Sequence, residues 1–220
     1  MNTFKLPTII SLTAPTCAGK SYLLEGLVNS LGFERIVSTT DRSPRAGEIE
    51  GVHFSFISTE QSKKLEAQGD LAELITYNGV RYGVTHHEME SRMQSSRPPI
   101  LIAEPQGLEI YQKYCLAKGW QLFKIYVNTP EDIRIGRLAM RTTQDVVNDA
   151  YTLDKFSLTR IVKEHVERNN KRLKAIIEQE RSWQQTNRWD LYVSGLDLNQ
   201  ALTDVTNAIN SRNSRSELYA

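Results

Sequence analysis

A single stretch near the start of the chain, Thr13 to Ser21, restricts the fold more than any other. It reads TAPTCAGKS and follows an apolar run at 9–12 that is typical of a buried strand. The periodic apolar residues at 23–31 predict a helix directly after it. A strand, a tight loop ending in Gly-Lys-Ser and a helix form the context that a phosphate-binding loop requires. We therefore expect an α/β core built around a site for a polyphosphate.

The residue types in this loop have physical roles at a phosphate site. Backbone N–H groups and the helix N-terminus would face the phosphates. Lys20 would add a mobile positive charge, and the Ser21 hydroxyl would join a Mg²⁺ shell. Ala14 stands where the pattern has glycine. The alternative is a chance strand–turn–helix with a solvated lysine. The residues expected to contact the polyphosphate are Ala14, Pro15, Thr16, Cys17, Ala18, Gly19, Lys20 and Ser21.

Charge and cysteine content argue against several classes of protein. The chain has 27 basic and 26 acidic residues, a net charge of +1, so its overall charge does not favour nucleic acid or membrane surfaces. Cys17 and Cys115 have neither metal-site nor redox-pair spacing, which is typical of a reducing compartment. The apolar run after Met1–Pro7 is too short for a signal peptide or a membrane span. We expect a soluble, cytoplasmic protein with no membrane partner.

Strand and helix signals alternate at both ends of the chain, which predicts an α/β core with a parallel sheet. The middle of the chain is richer in hairpin signals, such as Asn78-Gly79, and predicts an inserted lobe. The stretch 142–156 is polar and only weakly periodic. The predicted strands lie at 37–40, 54–56, 71–77, 80–84, 100–103, 122–127 and 190–193. The predicted helices lie at 58–68, which begins with a capping box of Ser58 and Gln61, and at 86–95, 106–118, after Pro130, at 158–185 and at 198–209.

A second motif is more specific than the loop. Residues 38–48 read STTDRSPRAGE, with Arg42 and Arg45 on either side of a stiffening proline. With the loop, this segment resembles the guanylate kinase family of nucleoside monophosphate kinases, whose acceptor-binding signature is Arg-x-Pro-Arg-x-Gly-Glu. Further matching features are Glu73 before Tyr82-Gly83, Gln106-Gly107 after a central strand, Arg137-Leu138 with Arg141, the segment 170–173, and the ending from Asp190 to Ile209. The resemblance covers nearly the whole chain.

The resemblance implies three parts: a P-loop kinase core that holds ATP and Mg²⁺, an inserted lobe that holds the acceptor monophosphate, and a helical lid. The core would comprise 1–33, 97–141 and 173–220, the lobe 34–96 and an extended lid 142–172. Lys20, Arg137, Arg141 and Arg172 would act on the transferring phosphoryl group. The acceptor would contact Ser38, Arg42, Arg45, Glu48, Phe54, Glu73, Tyr82, Val84 and Glu104.

Several acceptor positions depart from the family pattern. Phe54 stands where the family has a tyrosine that contacts the acceptor phosphate. Val84 replaces a serine or threonine that helps to recognise guanine, and Glu104 replaces an aspartate that helps to bind the base. A polar group of the base that faces Val84 would have no partner, so the natural acceptor base need not be guanine. The lid is also longer than the family usually needs.

Three functions stay open at this point. The first is an ATP-dependent kinase of GMP, dGMP or a related nucleotide. The second keeps the chemistry and takes a modified deoxynucleotide, or a modified base in DNA, as in a virus-encoded enzyme. The third is a guanylate kinase-like module that binds a protein and has lost catalysis. Because Lys20, Arg141 and Arg172 are retained, the sequence favours an enzyme over a silent module.

Overall fold

Two sheets organise the molecule. We describe a computed structural model in which residues 7–45, 47–77, 79–150, 155–186 and 188–215 are defined. The larger sheet contains β1 (Thr8–Thr13), β2 (Glu34–Arg35), β7 (Pro99–Ile102), β8 (Gln121–Asn128) and β9 (Leu191–Ser194). Its order is β2-β7-β1-β8-β9, and all four pairings are parallel. This confirms the predicted α/β class with a parallel sheet.

The larger sheet is covered on both faces because successive side chains of its strands point in opposite directions. Ile10 packs in an apolar cluster with α1 (Lys20–Leu31) and α8 (Leu198–Arg215). Its neighbour Ile9 packs in a second cluster with α3 (His86–Met93) and α4 (Pro105–Ala117). The central strands therefore read as continuous apolar runs rather than as alternating ones.

The smaller sheet comes from the middle of the chain. Its strands are β3 (Thr39–Thr40), β4 (Ser55–Phe56), β5 (Leu71–Tyr77) and β6 (Val80–Thr85), in the order β4-β3-β6-β5. β5 and β6 pair antiparallel, which confirms the predicted hairpin; Asn78 of its turn lies outside the described residues. Between β4 and β5, α2 (Thr59–Gln68) begins with the predicted capping box of Ser58 and Gln61. The sheet contacts the core where β5 packs against α4.

Two long helices differ from the predicted elements. α5 (Glu131–Ala150) continues through much of the polar stretch that carried only a weak helical pattern. The helix predicted at 158–185 is divided: α6 (Lys155–Glu178) packs along α5 and is followed by a 3₁₀ turn (Glu180–Ser182) and the short α7 (Trp183–Thr186). In the described part of the chain, no helix is both long and apolar enough to span a membrane.

Candidate active site

The loop between β1 and α1 has the backbone geometry of a tight phosphate-binding turn. Gly19 has a φ of 99° directly before the first residue of α1, a conformation that favours glycine. Ala18 donates its N–H to the Pro15 carbonyl at 3.1 Å, which closes the turn. Cys17 is the one non-glycine residue of the described chain with a positive φ, so Ala14 does not need glycine's freedom. The Ala14 side chain is instead buried in the core.

The back of this loop is held by the elements around β8 and β9. Thr129 donates its hydroxyl to the Ala18 carbonyl at 2.8 Å. Arg137 donates to the Cys17 carbonyl at 3.2 Å and to the Gly195 carbonyl at 3.1 Å. The guanidinium of Arg137 therefore braces the loop backbone in this structure, and its expected action on the transferring phosphoryl group stays a prediction.

The front of the loop carries a cation beside a carboxylate. Lys20 Nζ lies 3.2 Å from Glu104 Oε1, and both side chains are mostly buried. Glu104 Oε2 is buried and has no hydrogen-bond partner, so this oxygen can still accept a hydrogen bond or bind a cation. Ser21 exposes its side chain at the start of α1. Glu104 was predicted to bind the base, whereas here it contacts the loop lysine.

This donor set fits Mg²⁺ held mainly by a nucleotide. Mg²⁺ prefers oxygen ligands and is usually bound through one or two protein oxygens together with substrate phosphates. Ser21 and the unpartnered Glu104 oxygen offer such oxygens near the loop. Within the defined ranges, no group of three or more His, Cys, Asp or Glu side chains forms a dedicated metal site.

Three predicted arginines, Arg45, Arg141 and Arg172, act on one another through their charges. Burial, followed by the charges of Arg141, Arg45 and Arg168, lowers the pKa of Arg172 to about 10. Burial raises the pKa of the Cys17 thiol, while Arg141 and Arg172 act in the opposite direction. Arg45, which precedes the smaller sheet's β4, Arg141 of α5 and Arg172 of α6 thus act on one another through their charges, and Arg141 and Arg172 also act on Cys17 of the loop. A cluster of like charges of this kind is unfavourable on its own and suits a polyanionic ligand.

Arg42 is held in place rather than free. It donates to both carboxylate oxygens of Glu48 at 2.6 and 2.7 Å, and its guanidinium lies 4.8 Å from the centre of the Phe54 ring. Burial alone would raise the pKa of Glu48, but the bonds from Arg42 and from the Arg45 N–H lower it to about 2. Arg42 Nε is buried without a partner, so one donor of this guanidinium is unused, and its predicted bond to an acceptor phosphate stays a prediction. Glu48 and Phe54, predicted as direct acceptor contacts, thus orient Arg42 here.

Tyr82 completes the predicted phosphate contacts, and Ser38 lies beside the smaller sheet. The Tyr82 ring packs 6.0 Å from the Phe54 ring, and its hydroxyl interacts with Arg42. The Ser38 carbonyl accepts the Ser55 N–H at 2.9 Å, while its side chain is half-buried. The roles of both in acceptor binding stay predictions.

Glu73 lies in a buried pocket between β5 and α4. Its carboxylate accepts the Tyr111 hydroxyl at 3.0 Å, and a Cβ on Gly107 would come within 2.6 Å of Glu73 Oε1. Only glycine leaves room for the carboxylate at this point. Val84, which pairs with Glu73 across the strands, is fully buried in the apolar cluster. Burial, opposed by the Tyr111 bond and reinforced by the charge of Glu104, raises the pKa of Glu73 to about 7.

The raised pKa of Glu73 predicts a pH-dependent stability. An unperturbed glutamate titrates near 4.5, whereas folded Glu73 keeps its proton until about 7. Between these values the folded state binds more protons than the unfolded state, so the free energy of unfolding falls as pH rises. The loss is at most about 3 kcal/mol. Thermal melts at pH 5 and pH 8 should show that Glu73→Gln removes much of the difference.

The control for this prediction is Glu109→Gln, an exposed carboxylate on α4. It should leave the pH dependence of the melting temperature as in the unmodified protein. If Glu73→Gln behaves like Glu109→Gln, the carboxyl group of Glu73 is not held neutral by its surroundings.

The sequence did not single out Glu180, Tyr77, Arg134 or Tyr111. Glu180 accepts hydrogen bonds from the loop, from β5 and from α5. Glu180 falls inside the helix predicted at 158–185. A charged residue within a polar helix gives no indication of a buried contact. Tyr111 was predicted only as part of an amphipathic helix. Contacts between residues so distant in the chain are not visible in local patterns.

The known proteins that resemble this chain decide its family. A family model described as guanylate kinase matches residues 6–179. The chain belongs to the guanylate kinase family. Its likeness to individual members is moderate, with identities of about 30%.

Individual relatives agree with this family. Guanylate kinase from Mycoplasmoides gallisepticum (strain R(low / passage 15 / clone 2)) is 31% identical over 163 residues, 73% of this chain and 79% of that protein. The Chlamydia muridarum and Chlamydia felis guanylate kinases are 29% and 32% identical over 60% and 46% of this chain. These two matches cover 63% and 51% of the chlamydial proteins, about half to two thirds of their length.

A structural neighbour of the guanylate kinase family shares the fold. The crystal structure of guanylate kinase from Anaplasma phagocytophilum superposes with a TM-score of 0.60 at 18% identity, over 96% of this chain and 88% of that one. At this identity the likeness concerns the fold alone.

Proposed function

We propose that the protein is an ATP-dependent nucleoside monophosphate kinase that transfers the γ-phosphoryl group of ATP to GMP, dGMP or a related nucleotide. The observation that carries this proposal is the set of Arg45, Arg141 and Arg172, whose charges act on one another, with those of Arg141 and Arg172 also acting on Cys17 of the Lys20 loop. A polyphosphate on the loop would meet cations from three separate segments there. The Arg42 site adds a second place for an anion on the inserted lobe. Two sites for phosphate suit a phosphoryl transfer between two nucleotides.

The chemistry requires little beyond positioning and charge. Phosphoryl transfer proceeds through a transition state whose charge is spread over the phosphoryl oxygens. Lys20 would hold the β- and γ-phosphates, and Arg141 and Arg172 would stabilise the charge that develops during transfer. Arg42, oriented by Glu48 and Phe54, would hold the acceptor phosphate. When bound with ATP, Mg²⁺ would neutralise phosphate charge, and Ser21 with Glu104 would hold it.

A second candidate concerns only the acceptor. Val84 offers no hydrogen bond, and Glu73 already accepts one from Tyr111 in an apolar setting. A neutral carboxyl group at Glu73 can donate a hydrogen bond as well as accept one. It therefore also suits a base whose ring nitrogen carries no proton. A modified deoxynucleotide as acceptor is therefore the second candidate.

The test is a panel of acceptors. ADP release from ATP would be measured with ribo- and deoxynucleoside monophosphates of each common base, and with an oligonucleotide that carries a modified base. We expect turnover with at least one monophosphate and the highest kcat/KM for a purine. Folded protein that releases no ADP with any member of the panel would contradict the proposed function. Turnover with the oligonucleotide alone would favour the second candidate.

A substitution at Val84 tests the base pocket. Val84→Thr replaces one methyl group of the valine with a hydroxyl of similar size beside Glu73. One additional hydrogen bond to a substrate raises kcat/KM by about 2–10-fold. We expect the ratio of kcat/KM for GMP to that for AMP to rise by this factor, measured with the same ADP assay. Val205→Thr is the control, because Val205 is equally buried on the opposite face of the large sheet. An unchanged ratio in Val84→Thr would remove Val84 from the base pocket.

A further inference from the structure

One carboxylate joins three parts of the molecule to the phosphate-binding loop. Glu180, in the 3₁₀ turn after α6, is only 2% exposed. Its Oε2 accepts the Thr16 N–H and Arg134 Nη1, each at 3.0 Å. Its Oε1 accepts the Thr16 hydroxyl at 2.6 Å and the Tyr77 hydroxyl at 2.9 Å. Both oxygens are thus used by donors from elsewhere in the chain.

The donors come from parts that the proposed reaction must align. Thr16 belongs to the loop, Arg134 to the first turn of α5, and Tyr77 is the last residue of β5. β5 also carries Glu73, the predicted base-reading residue. A single strand therefore runs from the acceptor pocket to the carboxylate that holds the loop.

Burial and ring packing stabilise the contact between Tyr77 and Glu180. Burial, together with the charge and the bond of Glu180, raises the pKa of Tyr77, so its hydroxyl keeps its proton and donates. The Tyr77 ring also packs 6.1 Å from the Trp183 ring, directly after the 3₁₀ turn. Removing a partner from a buried polar network leaves the others unsatisfied, which makes such networks sensitive to single substitutions.

We propose that Glu180 is a positioning residue for the phosphate-binding loop and that the Tyr77 hydroxyl couples this loop to the acceptor sheet. The second part rests on the proposed function, since it assumes that a monophosphate binds to that sheet. Coupling of this kind is reciprocal: the acceptor changes the affinity for ATP by the factor by which ATP changes the affinity for the acceptor.

The positioning role is tested without any substrate. Amide hydrogen exchange of the loop peptide 13–21 would be compared in Glu180→Gln and Glu178→Gln. Glu178 is the matched control because it lies two residues away with a side chain 56% exposed. We expect exchange of the loop to rise at least tenfold in Glu180→Gln and to stay unchanged in Glu178→Gln. Equal exchange in both would overturn the positioning role. If Glu180→Gln fails to fold, Thr16→Val, which removes one of the four donors, is measured instead with the same criterion.

The coupling is tested by calorimetric titration with and without a saturating monophosphate, GMP first, using the β,γ-imido analogue of ATP, which stands in for ATP because it cannot transfer its terminal phosphoryl group. We expect the monophosphate to change the Kd of this analogue several-fold in the unmodified protein and by less than twofold in Tyr77→Phe. Tyr192→Phe, a half-exposed tyrosine on β9, should keep the unmodified coupling. Coupling that survives in Tyr77→Phe, or is absent from the unmodified protein, would overturn the link. If coupling follows the prediction but no phosphoryl group is transferred, the proposed function fails and this inference stands.

Discussion

Replacing Lys20 with methionine is expected to lower kcat/KM for phosphoryl transfer by about 10²–10³-fold, the usual effect of removing one preorganised charge from a transition state. Methionine keeps the length and the apolar stem of the side chain while removing the cation that lies 3.2 Å from Glu104. The measurement is the steady-state rate of ADP release with the best acceptor. The melting temperature is recorded in parallel, so that lost activity is not confused with unfolding.

Lys64→Met serves as the matched control for this substitution. Lys64 is exposed on α2 and lies outside every predicted contact. We expect its rate to stay within twofold of the unmodified protein. If Lys20→Met is as active as Lys64→Met, the loop does not act on the transferring phosphoryl group.

Gly195→Ala is expected to have the largest effect on stability. A Cβ at this position would overlap with the Ala18 carbonyl and the Thr129 hydroxyl, on the rear of the phosphate-binding loop. The backbone cannot easily move away, because Gly195 donates to the Asn128 carbonyl at 2.9 Å and accepts from Arg137. We expect a loss of about 3 kcal/mol, or roughly 6–12 °C in Tm for a chain of this length. Thermal unfolding checks the loss, and ATP titration should show weaker binding.

Gly136→Ala is the control for this prediction. Gly136 lies inside α5, and a Cβ there would meet nothing within 4 Å. Alanine favours the helix by about 0.8–1 kcal/mol over glycine, so this variant should melt at a slightly higher temperature. A Gly195→Ala protein that is as stable as Gly136→Ala would show that the loop does not pack closely against β9.

Local chemistry explains which features could be predicted from the sequence. The loop at 13–21 and the Ser58–Gln61 capping box depend on residues within a few positions of one another, so the pattern contains the whole interaction. The parallel sheet follows from continuous apolar runs such as 100–103, because both of its faces are buried. These features are present in the structure as predicted.

Long-range contacts explain what could not be predicted. The bond between Thr16 and Glu180 joins residues 164 positions apart, and nothing near either one indicates the other. The Tyr111 hydroxyl likewise meets Glu73 only because α4 packs on β5. Arg137 matches a motif spacing, yet its guanidinium contacts backbone carbonyls, a distinction that depends on the path of β9 rather than on sequence.

The segment predicted as the lid differs from the prediction for another reason. The polar residues after Arg141 carry a weak apolar period, yet α5 continues to Ala150 because α6 packs along it. Partner helices supply stability that the pattern of a single helix does not reveal. The division of the second helix at Gln179 creates the 3₁₀ turn that presents Glu180.

The most direct test of the central claim is ³¹P nuclear magnetic resonance of the protein with ATP, Mg²⁺ and the best acceptor from the panel. We predict that the γ-phosphate signal of ATP falls to an equilibrium level while two sets of diphosphate signals grow in equal amounts, one from ADP and one from the phosphorylated acceptor. Release of inorganic phosphate alone, or an unchanged ATP spectrum with folded protein, would contradict the account.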